Sequence, residues 1–314
     1  MIMQNVLGKE SRYFYMGISM VAVILHHLVL YPIRYHSIHL PLDFLFINGH
    51  YGVDVFMFIS AYGLGYSYNN NKLSTFYLRR IKRIYPMYLL FLIIACLFVK
   101  NSIYDGLKEI LRQIICLPIF DHGINNIEWF IPSLITLYII YPLIYTIVEK
   151  SIHYKYGSLI LYTLTVFSTY FFCRFFNDLF TMRFPIYVIG VYTYFFVKDK
   201  KYNQLLILYC YSGILSFMTY HQNLTPTMCL PMILLLLDKI NLANKTKKCG
   251  KYISLIGIYS LEIYLAQMIG TKFVMRLDLP ISILIILALT TTLVLAPIFH
   301  YFQTFFYKIR TLYE

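Results

Sequence analysis

The chain has 314 residues, of which 59% are hydrophobic and only 13% charged, with a mean hydropathy of +0.64. A soluble domain carries about twice that fraction of charge, which argues against a water-facing enzyme built on one core. Apolar runs of membrane-spanning length recur along the whole chain and are too continuous for barrel strands, so the expected fold is all-α and polytopic, with backbone groups satisfied inside each helix.

In chain order, ten spans are predicted, near 13–31, 51–70, 84–100, 128–148, 157–175, 183–198, 203–220, 226–241, 252–271 and 280–303. The first is read as a retained span, because it ends in His-His-Leu-Val-Leu-Tyr-Pro without a small-residue cleavage site. With the N-terminus inside, nineteen of the 27 Lys and Arg fall in cytoplasmic segments, including Lys9, Arg12, Lys72, the Arg79–Arg83 run, Lys150 and Lys155. Short loops rich in Lys and Arg stay in the cytoplasm, so both termini are expected inside. The net charge of +13 then orients the chain and attracts anionic lipid, while no zinc finger, recognition helix or basic tail points to nucleic acid.

The six cysteines are scattered without Cys-x-x-Cys spacing and read as small hydrophobes, with no disulfide framework or thiolate metal site. The 32 Tyr and 25 Phe are expected near span ends, as interfacial aromatics. No repeat or low-complexity linker divides the chain, so 1–314 is read as one domain.

Chemistry begins in the first span. His26 and His27 are adjacent titratable groups in an apolar helix, where such groups are costly and mark function. One imidazole would act as general base on an acceptor hydroxyl. The two lie about 100° apart around a helix, so one is expected to face the bundle interior. His36, His39 and His50 follow in a loop and read as surface histidines, since no ligand pair shares a helical face with a fixed carboxylate.

Asp54 opens the second span. It either orients a catalytic imidazole, lines a polar vestibule, or caps the helix and complements its dipole. Ser60 and the pair Gly63 and Gly65 read as close-packing positions rather than a nucleophile site. Arg79, Arg80, Lys82 and Arg83 precede the third span; they either hold the phosphates of a donor or mark a cytoplasmic flank in contact with lipid. Glu128 and Trp129 open the fourth, as a platform for an acceptor sugar or an ordinary interfacial anchor.

Five segments in order carry a family resemblance: Met16-Gly17-Ile18-Ser19 through His27, Gly52-Val53-Asp54-Val55-Phe56-Met57-Phe58-Ile59-Ser60, Phe76 through Tyr88, Trp129-Phe130-Ile131-Pro132-Ser133-Leu134, and Tyr259-Ser260-Leu261-Glu262-Ile263-Tyr264-Leu265. Together they resemble the membrane acyltransferase 3 family. That resemblance implies a ten-helix membrane enzyme of the plasma or inner membrane. It would move an acyl group, usually acetyl, onto hydroxyls of cell-surface polysaccharides, glycolipids or small lipophilic acceptors.

Acetyl-coenzyme A is the implied donor substrate, with no permanently bound cofactor and no metal. The family places an arginine eleven residues before a catalytic histidine; here His27 fits the histidine, Met16 occupies the arginine position, and Arg12 stands one turn earlier. His27, Asp54 and Arg12 are therefore the implied catalytic set, Arg79, Arg80, Lys82 and Arg83 the donor set, and His26, Glu128 and Trp129 the acceptor set. Gln267 stands where the family often has another histidine. The competing reading is a polysaccharide flippase or polymerase, which would show no dependence on an acetyl donor; a non-catalytic scaffold would tolerate loss of His27.

Overall fold

The computed structural model describes residues 8–40, 43–98, 107–121, 129–218 and 247–311, with four further positions between 229 and 234. Every regular element among these residues is helical. The main helices are α1 (Lys9–His36), a short α2 (Asp43–Phe46), α3 (Gly52–Asn69), α4 (Leu73–Phe98), α5 (Leu107–Ile114), α6 (Phe130–Ser151), α7 (Gly157–Phe172), α8 (Asp178–Thr181), α9 (Phe184–Lys198), α10 (Tyr202–Met218), α11 (Lys247–Ile258), α12 (Ser260–Val274) and α13 (Ile281–Thr311). A 3₁₀ turn, Ile47–Tyr51, leads into α3.

Four stretches among the described residues are long and apolar enough to cross a membrane: Glu10–Ile33, Phe130–Ser151, Asp178–Lys198 and Ile281–Phe305. A fifth forms if α11 and α12, bent by 73°, are taken as one broken span. The predicted ranges 51–70, 157–175 and 203–220 also fall on helices α3, α7 and α10, whereas most of 226–241 lies outside the described residues.

The predicted straight span over 252–271 is corrected by the structure. Ile253 packs over Gly17 and Gly257 over Tyr13, so α11 descends along α1. Past the break at Tyr259, Gln267 meets His27 and Met275 accepts a hydrogen bond from His36, so α12 climbs back up the same helix. The α1–α11 crossing is so close that a Cβ on Gly17 or Gly257 would overlap backbone of the other helix. Small residues permit this approach where lipid offers no hydrophobic drive between helices. The hydrophobic pattern stays continuous through the bend, which is why it read as one segment.

Helix ends gather at two poles. At one pole lie the start of α1 and the C-terminal ends of α3, α6 and α9, where Lys198 donates to Asn69 and Tyr145 reaches the same amide. At the other lie the 37–51 segment and the turns joined when the Asn177 backbone N–H donates to the Ile119 carbonyl and its side chain to that of Asp121.

The aromatic expectation also changes. Tyr141, Tyr162, Tyr187, Tyr192, Tyr194 and Tyr209 are buried inside the bundle rather than ranged at its rims. Several donate to helix carbonyls across an interface: Tyr141 to Ala61, Tyr187 to Leu137 and Tyr77 to Ile139. A tyrosine fills the space of an apolar side chain and still satisfies its hydroxyl, so it joins helices that share no aqueous driving force.

Candidate functional site

Arg12, in the first turn of α1, projects toward α3. Its guanidinium lies over the Tyr62 ring at 5.8 Å, and a Cβ on Gly63 would sit 3.4 Å from one of its terminal nitrogens. Gly63 would accept a Cβ in ordinary contact with the arginine, whereas at Gly65 a Cβ would overlap the Tyr194 ring, so only the second fits the close-packing expectation.

Arg12 and Met16 share a cavity of about 280 Å³ with Ser60, Arg80, Arg83, Tyr138 and Ser260. On α4, residues 80, 83 and 84 fall on one face by helical spacing, and that face lines the cavity. Arg79 and Lys82 are not among the lining residues. The sequence quartet therefore divides: Arg80 and Arg83 border the cavity beside Arg12, and Arg79 and Lys82 do not. Among the described residues the lining contains three arginines and no carboxylate.

His26 and His27 diverge toward different neighbours. His26 is buried and stands 5.2 Å, ring to ring, from His50, whose Nδ1 donates to the Ile47 carbonyl. Gly49 lets this turn pack down onto α1 beside His26. His27, partly buried, meets Gln267 on α12 with its Nδ1 2.6 Å from the amide Nε2. The expectation that one of the two faces inward is thus refined: both point into protein, and only His27 reaches the α12 seam. His36 and His39 find separate partners, the Met275 carbonyl and Asp43.

Asp54 is fully buried on α3, and its carboxylate faces Arg183 at 3.2 Å. The His27 nitrogen that an orienting carboxylate would hold is occupied by Gln267 instead. Asp54 sits in the first turn of α3, where a carboxylate complements the helix dipole, and its charged partner in space is Arg183 rather than an imidazole. The reason is electrostatic: a carboxylate removed from water requires a cation at contact distance. Arg183 also donates to the Leu179 carbonyl and lies over the Trp129 ring at 4.9 Å. Trp129 is 7% exposed with that face covered, so it holds an arginine rather than offering an open platform for a sugar. Glu128 lies outside the described residues.

Sequence reasoning missed Arg183 and gave Gln267 no role. Arg183 sat at the edge of the predicted 183–198 span and looked like a flanking cation; its isolation among apolar residues was the available signal. Gln267 is neutral, and only its place in an apolar helix marked it. Glu262 and His300, 3.4 Å apart, form a further polar pair between α12 and α13.

Arg12 and His27 belong to one helix, fifteen residues apart, about 22 Å at 1.5 Å per residue. One helix thus carries a cation cavity near its start and an imidazole well along its length. An extended ligand with an anionic head could occupy the first and present a reactive end to the second.

Comparison with known proteins gives a family and no relative. No curated protein matches the chain, and no solved structure matches it. The acyltransferase 3 profile, described as an acyltransferase domain, matches residues 17–302, a stretch that takes in His27, Asp54, the arginine run, Trp129, Arg183 and Gln267. The chain belongs to the acyltransferase 3 family of membrane acyltransferases.

Proposed function

We propose that this protein is a multi-pass O-acetyltransferase of the plasma or inner membrane. It takes acetyl from acetyl-CoA at the cytoplasmic face and places it on a hydroxyl of a cell-surface or exported polysaccharide or glycolipid. The observation that carries the reading is the convergence of Arg12, Arg80 and Arg83 on one cavity. Guanidinium groups bind phosphate oxygens through charge-assisted hydrogen bonds, and coenzyme A brings several phosphates at one end of a long flexible arm. In this reading the ten-span, N-in and C-in arrangement puts that cavity inside and the His27 region toward the outer half.

The reaction follows from the distance between the two. The arginines hold the phosphates, and the pantetheine arm runs along α1 toward His27. His27 Nε2 removes the proton from the acceptor hydroxyl as its oxygen attacks the thioester carbonyl. The carbon–sulfur bond then breaks and the imidazolium returns the proton to the departing thiolate, giving the acetyl ester and free coenzyme A. Fixed geometry supplies much of the acceleration, since donor and acceptor meet in one site.

The test compares acetyl content of the surface glycan in wild-type and deletion cells. Acetyl should disappear on deletion and return with the wild-type gene but not with His27→Ala. Unchanged acetyl content with lost glycan export would overturn the reading in favour of a flippase or polymerase. Reporter fusions at Lys155 and Asp121 should report inside and outside respectively; a reversed signal breaks the topology.

A further inference from the structure

The closest polar contact of His27 is a neutral amide. Gln267 lies on α12, 1% exposed, with its Nε2 2.6 Å from His27 Nδ1 and 3.5 Å from the Met268 sulfur. Its carbonyl oxygen, Oε1, is buried and makes no hydrogen bond among the described residues. A half-turn of the amide about its last side-chain bond exchanges the two ends without moving the helix.

The chemistry assigned to His27 decides which end is needed. An imidazole that accepts a proton at Nε2 becomes a cation with an N–H on both nitrogens. Its Nδ1 then requires an acceptor, and a second donor facing it would repel. The stranded Oε1 is that acceptor, one half-turn away, at a site where an unsatisfied buried oxygen is costly. By turning, Nε2 gives up only a thioether sulfur, a weak acceptor.

We propose that Gln267 is the positioning residue of His27: its Oε1 accepts the Nδ1–H, which fixes the ring and dedicates Nε2 to the acceptor hydroxyl. The assignment rests on His27 acting as the base. Gln267 touches neither donor nor acceptor and acts only through the imidazole, in the way a third group orients the base of a catalytic triad. An amide does this without adding a permanent negative charge to the apolar seam between α1 and α12.

Two substitutions separate positioning from packing. Gln267→Leu keeps the bulk and removes the acceptor. Gln267→Glu keeps an acceptor and introduces a carboxyl group. If the residue only fills space, leucine is the better replacement, because burying a carboxylate is costly. If it positions His27, glutamate is the better one.

The expected result is a fall in kcat of about 100-fold for Gln267→Leu with donor KM little changed, and a much smaller loss for Gln267→Glu. Leucine equal to or better than glutamate overturns the proposal. A second measurement needs no activity. In protein labelled with ¹⁵N-histidine, the His27 ring is identified by the signal missing from His27→Ala. It should carry its proton on Nδ1 in the wild type and exchange between both nitrogens in Gln267→Leu. A wild-type ring protonated on Nε2 alone sinks the proposal even if the variants do not fold. If instead His27→Ala keeps full acetyl transfer while the ring is held as described, the base assignment fails and the Gln267 contact stands.

Discussion

The two poles of α1 hold their charges in opposite ways. Near Arg12, three arginines line a cavity with no acid among its described lining residues. Beyond His27, the cation Arg183 is covered by Asp54, the Leu179 carbonyl and the Trp129 ring. A cation with its counter-charge built in holds helices together, and α3 and α9 are joined by such a pair. Three cations gathered on one cavity offer an anionic ligand a place to bind. The sequence shows both as arginines near span ends, and only the neighbours tell the binding groups from the structural ones.

That contrast breaks first at His27. His27→Ala should lower acetyl transfer by about 10²–10⁴-fold, the usual contribution of a positioned acid–base group, while the protein still reaches the membrane at normal levels. His26→Ala should stay active, because His26 packs on His50 rather than on the α12 seam. Labelled-acetate incorporation measures both. A dead His26 variant beside an active His27 variant would mean that the working face of α1 is the other one.

The structural pole should answer in stability before activity. Asp54→Ala leaves Arg183 buried without its acid and should cost about 3–5 kcal/mol, read as a lower melting temperature in detergent. Adding Arg183→Met to Asp54→Ala should recover much of that loss, since neither charge is then stranded. If the double variant is stable yet inactive, the pair serves the reaction as well as the fold, and the contrast between the poles fails.

The binding pole should answer in donor affinity. Arg80→Gln removes one guanidinium from the cavity and should weaken donor binding by about 1.5–3 kcal/mol, or roughly 10- to 100-fold in donor KM, with the melting temperature nearly unchanged. A large loss of stability with unchanged KM would make Arg80 another structural cation.

How much of this was legible in the chain depends on what kind of signal each part leaves. The candidate spans on α1, α6, α9 and α13 follow from apolar runs of membrane-crossing length. His27 and the arginine run stood out because titratable groups are rare in such surroundings. The partners were hidden. Asp54 read as a cap or an orienting acid because its neighbour in sequence is a helix start, whereas its neighbour in space, Arg183, comes 129 positions later. Gln267 is polar but neutral, so it stood out less than a titratable group in the same apolar surroundings. The bend at Tyr259 depends on Gly17 and Gly257 letting α1 and α11 touch, a property of two segments that neither reveals alone. The buried tyrosines were misplaced at the rims because an aromatic with a hydroxyl suits an interface and a helix seam equally well.

The smallest expected effect makes the finest cut within the arginine run. By composition Arg79, Arg80, Lys82 and Arg83 are four equivalent cations, but only Arg80 and Arg83 line the cavity. Arg79 is exposed and does not line the cavity, so water and lipid headgroups screen it. Arg79→Gln should therefore change donor KM by no more than a few-fold, in line with the 0–1 kcal/mol of an exposed charge. Raising salt should erase even that change, because what remains at such a site is long-range attraction for an anionic donor. Salt should erase much less of the Arg80→Gln defect, where the lost contact lies inside the bundle. Donor titrations of both variants at low and high ionic strength measure the difference. Equal defects that vanish together in salt would mean that the run acts as a diffuse basic patch, and that the cavity is not where the phosphates sit.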